Sequence, residues 1–133
     1  MTRGPVPVRA RRVIAWVASV LWMALIFRLS ALPGSAVPGR FGTLGHFAVY
    51  AVLGAALLLA IDPALMSWRA AASAVAIASL YGMTDEFHQR FVPGRVSDPV
   101  DWIVDTAGAA VAVTVLLWLA KRRRDASAKT RGV

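Results

Sequence analysis

Four apolar runs set the terms for this chain. They cover roughly residues 13–30, 44–61, 68–83 and 102–120. A helix needs about 20 residues to cross the hydrocarbon core of a bilayer, with a floor near 17. The first, second and fourth runs reach that floor. The third reaches it only if its helix continues through Asp85 and Glu86. Helices buried in soluble proteins are usually shorter, so a soluble domain is a poor fit. The third run is also the least bulky, with Ala70, Ala71, Ala72, Ser73, Ala74, Ala76, Ala78 and Ser79. Small residues let helix backbones approach closely in lipid, which predicts the third helix as the central one, shielded by its neighbours.

Composition agrees. Apolar residues make up 58% of the 133 and charged residues 17%, which excludes disorder and collagen. The absence of cysteine removes disulfides, thiolate zinc sites and a Cys nucleophile. The net charge of +8 does not indicate nucleic acid, because the bases are not spread over a folded face. Arg3, Arg9, Arg11 and Arg12 precede the first run; Lys121, Arg122, Arg123, Arg124, Lys129 and Arg131 follow the last. Basic flanks hold chain ends in the cytoplasm, near anionic lipid. The expectation is an all-α, four-helix transmembrane bundle with a polar re-entrant or surface loop between helices 3 and 4. Residues 1–12 and 121–133 are basic cytoplasmic tails around a 13–120 membrane domain. The protein is then multi-pass in the plasma membrane, with both termini cytoplasmic. The first run has the basic start of a signal peptide, but its apolar stretch is at the long limit for one, and it is read as a retained span.

The polar residues carry the function. Five of the seven acids are Asp85, Glu86, Asp98, Asp101 and Asp105. His88, Gln89, Arg90, Arg95 and Ser97 lie among them. His46, Arg28 and Ser30 sit at the outward ends of their spans. His46 and Tyr50 are one helical turn apart, as are Asp101 and Asp105, so each pair shares a face. Gly54 continues the first face; Gly108 and Ala112 continue the second. An unpaired carboxylate at the depth of Asp105 costs about 2.5–3.5 kcal/mol on insertion scales. Arg95, Arg28 or His46 is its expected partner. Pro93-Gly94 reads as a turn that folds Arg95 back toward Asp85, Glu86 and Asp101.

Together these residues resemble the VanZ-like family. The resemblance rests on Tyr81-Gly82-Met83-Thr84-Asp85-Glu86-Phe87-His88-Gln89, on Phe91-Val92-Pro93-Gly94-Arg95, and on Asp101 and Asp105-Thr106 with Gly108. Gly45-His46-Phe47, Tyr50 and Gly54 resemble the second-span motif of that family, and Phe27 and Ser30 the end of its first span. Val49 and Asp105 depart from its commonest pattern. The resemblance implies a membrane protein associated with teicoplanin resistance and implies no particular reaction.

The candidate polar site is Arg28, Ser30, His46, Tyr50, Asp85, Glu86, His88, Gln89, Arg95, Asp101 and Asp105. Three chemistries fit it. In the first, it binds an envelope lipid or glycopeptide ligand, with Arg28 and Arg95 clamping an anion and the acids taking hydroxyls or amines. In the second, His46 or His88 serves a membrane hydrolase or phosphoryl-transfer enzyme acting on an envelope lipid. In the third, His46, His88, Glu86 and a further carboxylate hold a divalent metal. Beside these stands a structural polar network that only locks the helix ends. The lipid bilayer is the one partner the sequence names outright; it names no cofactor and no oligomeric state.

Overall fold

A computed structural model describes residues 7–36 and 39–131, together with their side chains except those of residues 39–41. Arg3 lies outside this range, and the side chain of Arg40 is not described. Among the described residues there are four α-helices and no strand. They are α1 (Val8–Ser30), α2 (Gly39–Ile61), α3 (Trp68–Gln89) and α4 (Pro99–Arg131). A short 3₁₀ turn, Gly34–Ala36, follows α1. Helices α1, α2 and α4 are each long and apolar enough to cross a membrane. Many of their large side chains face outward, among them Leu21, Val52 and Trp118. An exposed apolar surface of this kind suits lipid and not water. Helix also continues through parts of both basic stretches, starting at Val8 and ending at Arg131.

Local chemistry sets the ends. Ser67 caps α3 by accepting the Ala70 N–H at 3.2 Å. Asp98 does the same for α4, accepting the Val100 N–H at 2.9 Å. Pro99 follows at the first helical position, where a missing N–H costs nothing. Between α2 and α3, the Asp62 carboxylate accepts the N–H groups of Ala64, Met66 and Ser67 at 3.1, 2.8 and 2.8 Å. Partial loss of solvent works against the charge on Asp62, but these backbone donors outweigh it and hold the carboxyl below its ordinary pKa.

The central helix is α2, a correction to the expectation for the third run. It packs on all three others, and most extensively on α4. Its Tyr50, Leu53, Leu57 and Leu58 are all buried. Helix α3 uses its small residues on one side only. Ala70, Ala71, Ala74, Ala78 and Gly82 are buried, while Leu80, Met83 and Phe87 face outward. A small-residue stripe brings a helix close to its neighbours, but does not surround it.

Close approach of α2 and α4 depends on two glycines. A Cβ on Gly54 would lie 2.8 Å from the Cα of Ala109. One on Gly108 would run into the backbone carbonyl of Phe47. Tryptophans tie two further pairs, α1 to α2 and α4 to α3. Trp22 Nε1 donates to the Val49 carbonyl at 2.8 Å, and Trp102 Nε1 to the Ser79 carbonyl at 3.1 Å.

Gly108→Ala is expected to cost about 1–3 kcal/mol through overpacking against backbone. Gly45→Ala, whose Cβ meets nothing within 4 Å, is expected to hold stability or gain roughly 0.5–1 kcal/mol in helix propensity. Thermal unfolding of detergent-solubilised protein followed by circular dichroism compares the two. A second expectation concerns pH. The folded-state pKa of Asp62 is lowered, so its stabilisation is complete above the ordinary aspartate range and is lost as pH falls through the lowered value. The protection of the Met66 and Ser67 amides, taken relative to their intrinsic exchange rates, should fall over that acid window in the native protein, and Asp62→Asn should flatten the response.

Candidate functional site

The up-down order of the helices brings four polar segments to one end of the bundle. Ser30 ends α1, His46 and Tyr50 lie near the start of α2, Asp85, Glu86 and Gln89 end α3, and Asp101 and Asp105 open α4. The basic stretches lie at the opposite end. There Arg12 Nε donates to the Ala60 carbonyl at 3.3 Å, and an Arg124 Nη donates to the Leu65 carbonyl at 3.1 Å.

Two hydrogen-bonded groups form the site. In the first, Asp105 is fully buried and its Oδ1 lies 2.9 Å from His46 Nδ1. When Asp105 is ionised its oxygen only accepts, so Nδ1 then carries the proton and Nε2 is left for another partner. In the second, the buried Asp85 Oδ2 accepts the Ser30 hydroxyl at 2.8 Å and Gln89 Nε2 at 3.2 Å. Gln89 also reaches the Ser30 oxygen at 3.4 Å. Beside them, Glu86 Oε2 accepts the Asp98 N–H at 2.9 Å, which joins the end of α3 to the start of α4.

These bonds do not exhaust the polar atoms. Asp85 Oδ1, Glu86 Oε1, Asp105 Oδ2 and the Tyr50 hydroxyl are buried without a hydrogen-bond partner. Buried polar atoms are nearly always satisfied, so such a group of orphans marks a place where something else binds or where water enters. A cavity of about 190 Å³ opens here between α1 and α2. Ile26, Leu29, Leu32 and Val49 form its apolar wall; Ser30, His46, Tyr50 and Asp85 form its polar floor.

The structure also separates residues that the sequence grouped. Arg28 is exposed at the end of α1 and does not line the cavity. His88 turns away to stack on Phe27, with ring centroids 4.3 Å apart. Arg95 does line the cavity, but it does not pair with acids. Its Nε donates to the Leu32 carbonyl at 3.1 Å and an Nη to the Leu29 carbonyl at 3.2 Å. Those carbonyls lie at and just beyond the end of α1, where a cation is favoured. Asp105 therefore pairs with His46 and with neither arginine. The residues that sequence reasoning missed are Gly42 and Gly34. Gly42 lines the cavity. Gly34 donates its N–H to the Pro93 carbonyl at 3.2 Å, pressing the α1–α2 connection onto the α3–α4 turn. Gly94 sits in that turn at φ +72°. A Pro-Gly pair in each connection was the available signal.

The family model described as VanZ/LLP1 matches residues 13–120. No curated protein and no solved structure matches the chain.

His46→Ala leaves the Asp105 carboxylate buried and unpaired. It is expected to destabilise the protein by about 3–5 kcal/mol. The double change His46→Leu with Asp105→Leu should recover much of that loss. Unfolding of wild type, His46→Leu, Asp105→Leu and the double variant in mixed detergent measures the coupling.

Proposed function

The chain belongs to the VanZ/LLP1 family, and from that premise we propose that it binds the head group of an envelope lipid at the outer face of the plasma membrane. The cavity carries this reading. It joins an apolar wall to a polar floor, as an amphiphile requires. Its size suits part of a lipid and is too small to enclose a glycopeptide. The free acceptor of Asp85, on the cavity floor, favours donor-rich head groups, such as sugars or amines, over bare anions. Arg95, occupied with backbone carbonyls, supports no anion clamp. Both termini are cytoplasmic in this reading, because the basic stretches lie at the end opposite the acids. A protein that holds an envelope lipid there alters what teicoplanin meets at the cell surface, which would link it to glycopeptide tolerance.

A second reading has its own observation. Asp105 holds His46 at Nδ1, an arrangement that orients a general base and stabilises its charged form. It favours a hydrolase or phosphoryl-transfer enzyme acting on an envelope lipid. Turnover of polyprenyl phosphates or pyrophosphates by purified protein would establish it.

Native mass spectrometry of protein extracted from membranes is expected to show a retained aminolipid or glycolipid. Asp85→Asn should reduce retention about ten- to hundredfold, the usual worth of a charge-assisted hydrogen bond. Wild-type protein without retained lipid, or retention unchanged in Asp85→Asn, would overturn the lipid reading.

A further inference from the structure

We infer that the polar end of the bundle is a divalent transition-metal site, with His46, Glu86 and Asp101 as its three protein ligands. One ligand atom from each residue lies within 4.8 Å of the others. The three belong to α2, α3 and α4, and each sits near the end of its helix. At that widest spacing an ion among them is about 2.8 Å from each atom, against the roughly 2.0–2.2 Å of zinc–nitrogen and zinc–oxygen bonds. Side-chain rotation closes the difference.

Two independent observations point to a ligand at this cluster. Glu86 is only 7% exposed, and its Oε1 is buried with no partner. An unpaired carboxylate oxygen within reach of an imidazole and a second carboxylate is the environment in which a cation is well held. The other observation is the Asp105–His46 bond. Ligating histidines almost always donate their second ring N–H to a carboxylate or carbonyl, which fixes the ring and raises its basicity. Asp105 performs that task at Nδ1 and leaves Nε2 for the ion. Asp105 is thus a positioning residue and no ligand.

The donor set selects the ion. One imidazole and two carboxylates without thiolate suit zinc; all-oxygen cages suit magnesium or calcium. The two ligand carboxylates neutralise a doubly charged ion. Three protein ligands leave a coordination position open toward an incoming group. The assignment rests on the lipid reading in one respect: the cluster shares His46 with the cavity, so an ion held there would offer a bound head group a cationic contact. His88, grouped with these residues on sequence grounds, takes no part because it stacks on Phe27.

The test uses the full chain, purified in detergent, stripped with chelator and titrated with zinc chloride. One zinc per chain and a raised unfolding temperature are expected. Asp101→Asn and Glu86→Gln should each weaken zinc binding at least about tenfold to a hundredfold, the range seen for perturbed ligand shells. Asp125→Asn, an exposed acid in the distal part of α4, should bind as wild type does. Substoichiometric zinc, no thermal shift, preference for magnesium over zinc, or undiminished binding in both ligand variants would each overturn the assignment. Lipid retention is measured in parallel with and without chelator. Lipid that stays bound when no zinc binds sinks the metal site alone; zinc bound without lipid sinks the lipid reading alone.

Discussion

A carboxylate with no access to water, one turn into an apolar helix, is the constraint on which this architecture depends. Asp105 is fully buried, and its charge is tolerable only with a partner held at contact distance. His46 is that partner. The pair fixes the register of α2 against α4, because a slip of one residue on either helix would separate them. Gly54 and Gly108 then let the two backbones close to the distance the pair requires. Tyr50 and the leucines of α2 fill the space below. Helix association in lipid lacks the hydrophobic driving force available in water. A buried polar pair and close backbone packing take its place here.

The helices were legible because hydropathy over long windows is a strong signal. The family was legible in the acid-rich block near the end of α3. Pairing was less so. Sequence spacing put His46 with Tyr50 and Asp101 with Asp105, and each pair does share a helix. It gave no means of choosing among His46, Arg28 and Arg95 as the partner of Asp105, since that choice depends on how helices meet across the bundle. Arg95 illustrates the difficulty. Charge alone draws it to acids, yet its guanidinium donates to the Leu29 and Leu32 carbonyls where α1 ends. The centrality of α2 was hidden for a related reason. Small residues reveal where a helix is approached, but not from how many sides.

With Arg28 outside the cavity and Arg95 bonded to backbone carbonyls, the site is acceptor-rich. Ser30 and Gln89 satisfy one oxygen of Asp85, and Asp98 satisfies one of Glu86. What remains is a set of buried carboxylate oxygens, a phenol and His88 Nε2 at the same end of the bundle. Such a site favours cations, amines and hydroxyls. The cavity draws both its apolar wall and most of its polar floor from α1 and α2, and α3 adds Asp85.

The opposed placement of acids and bases bears on how the chain enters its membrane. Between Asp85 and Asp101, four acids stand against Arg90 and Arg95, a net of two negative charges. In the proposed orientation that hairpin crosses to the outer side during insertion. The interior of an energised cell is electrically negative, so carrying negative charge outward is downhill by roughly 2.3 kcal/mol per charge for each 100 mV. The membrane potential itself would thus help to draw the third and fourth helices into place.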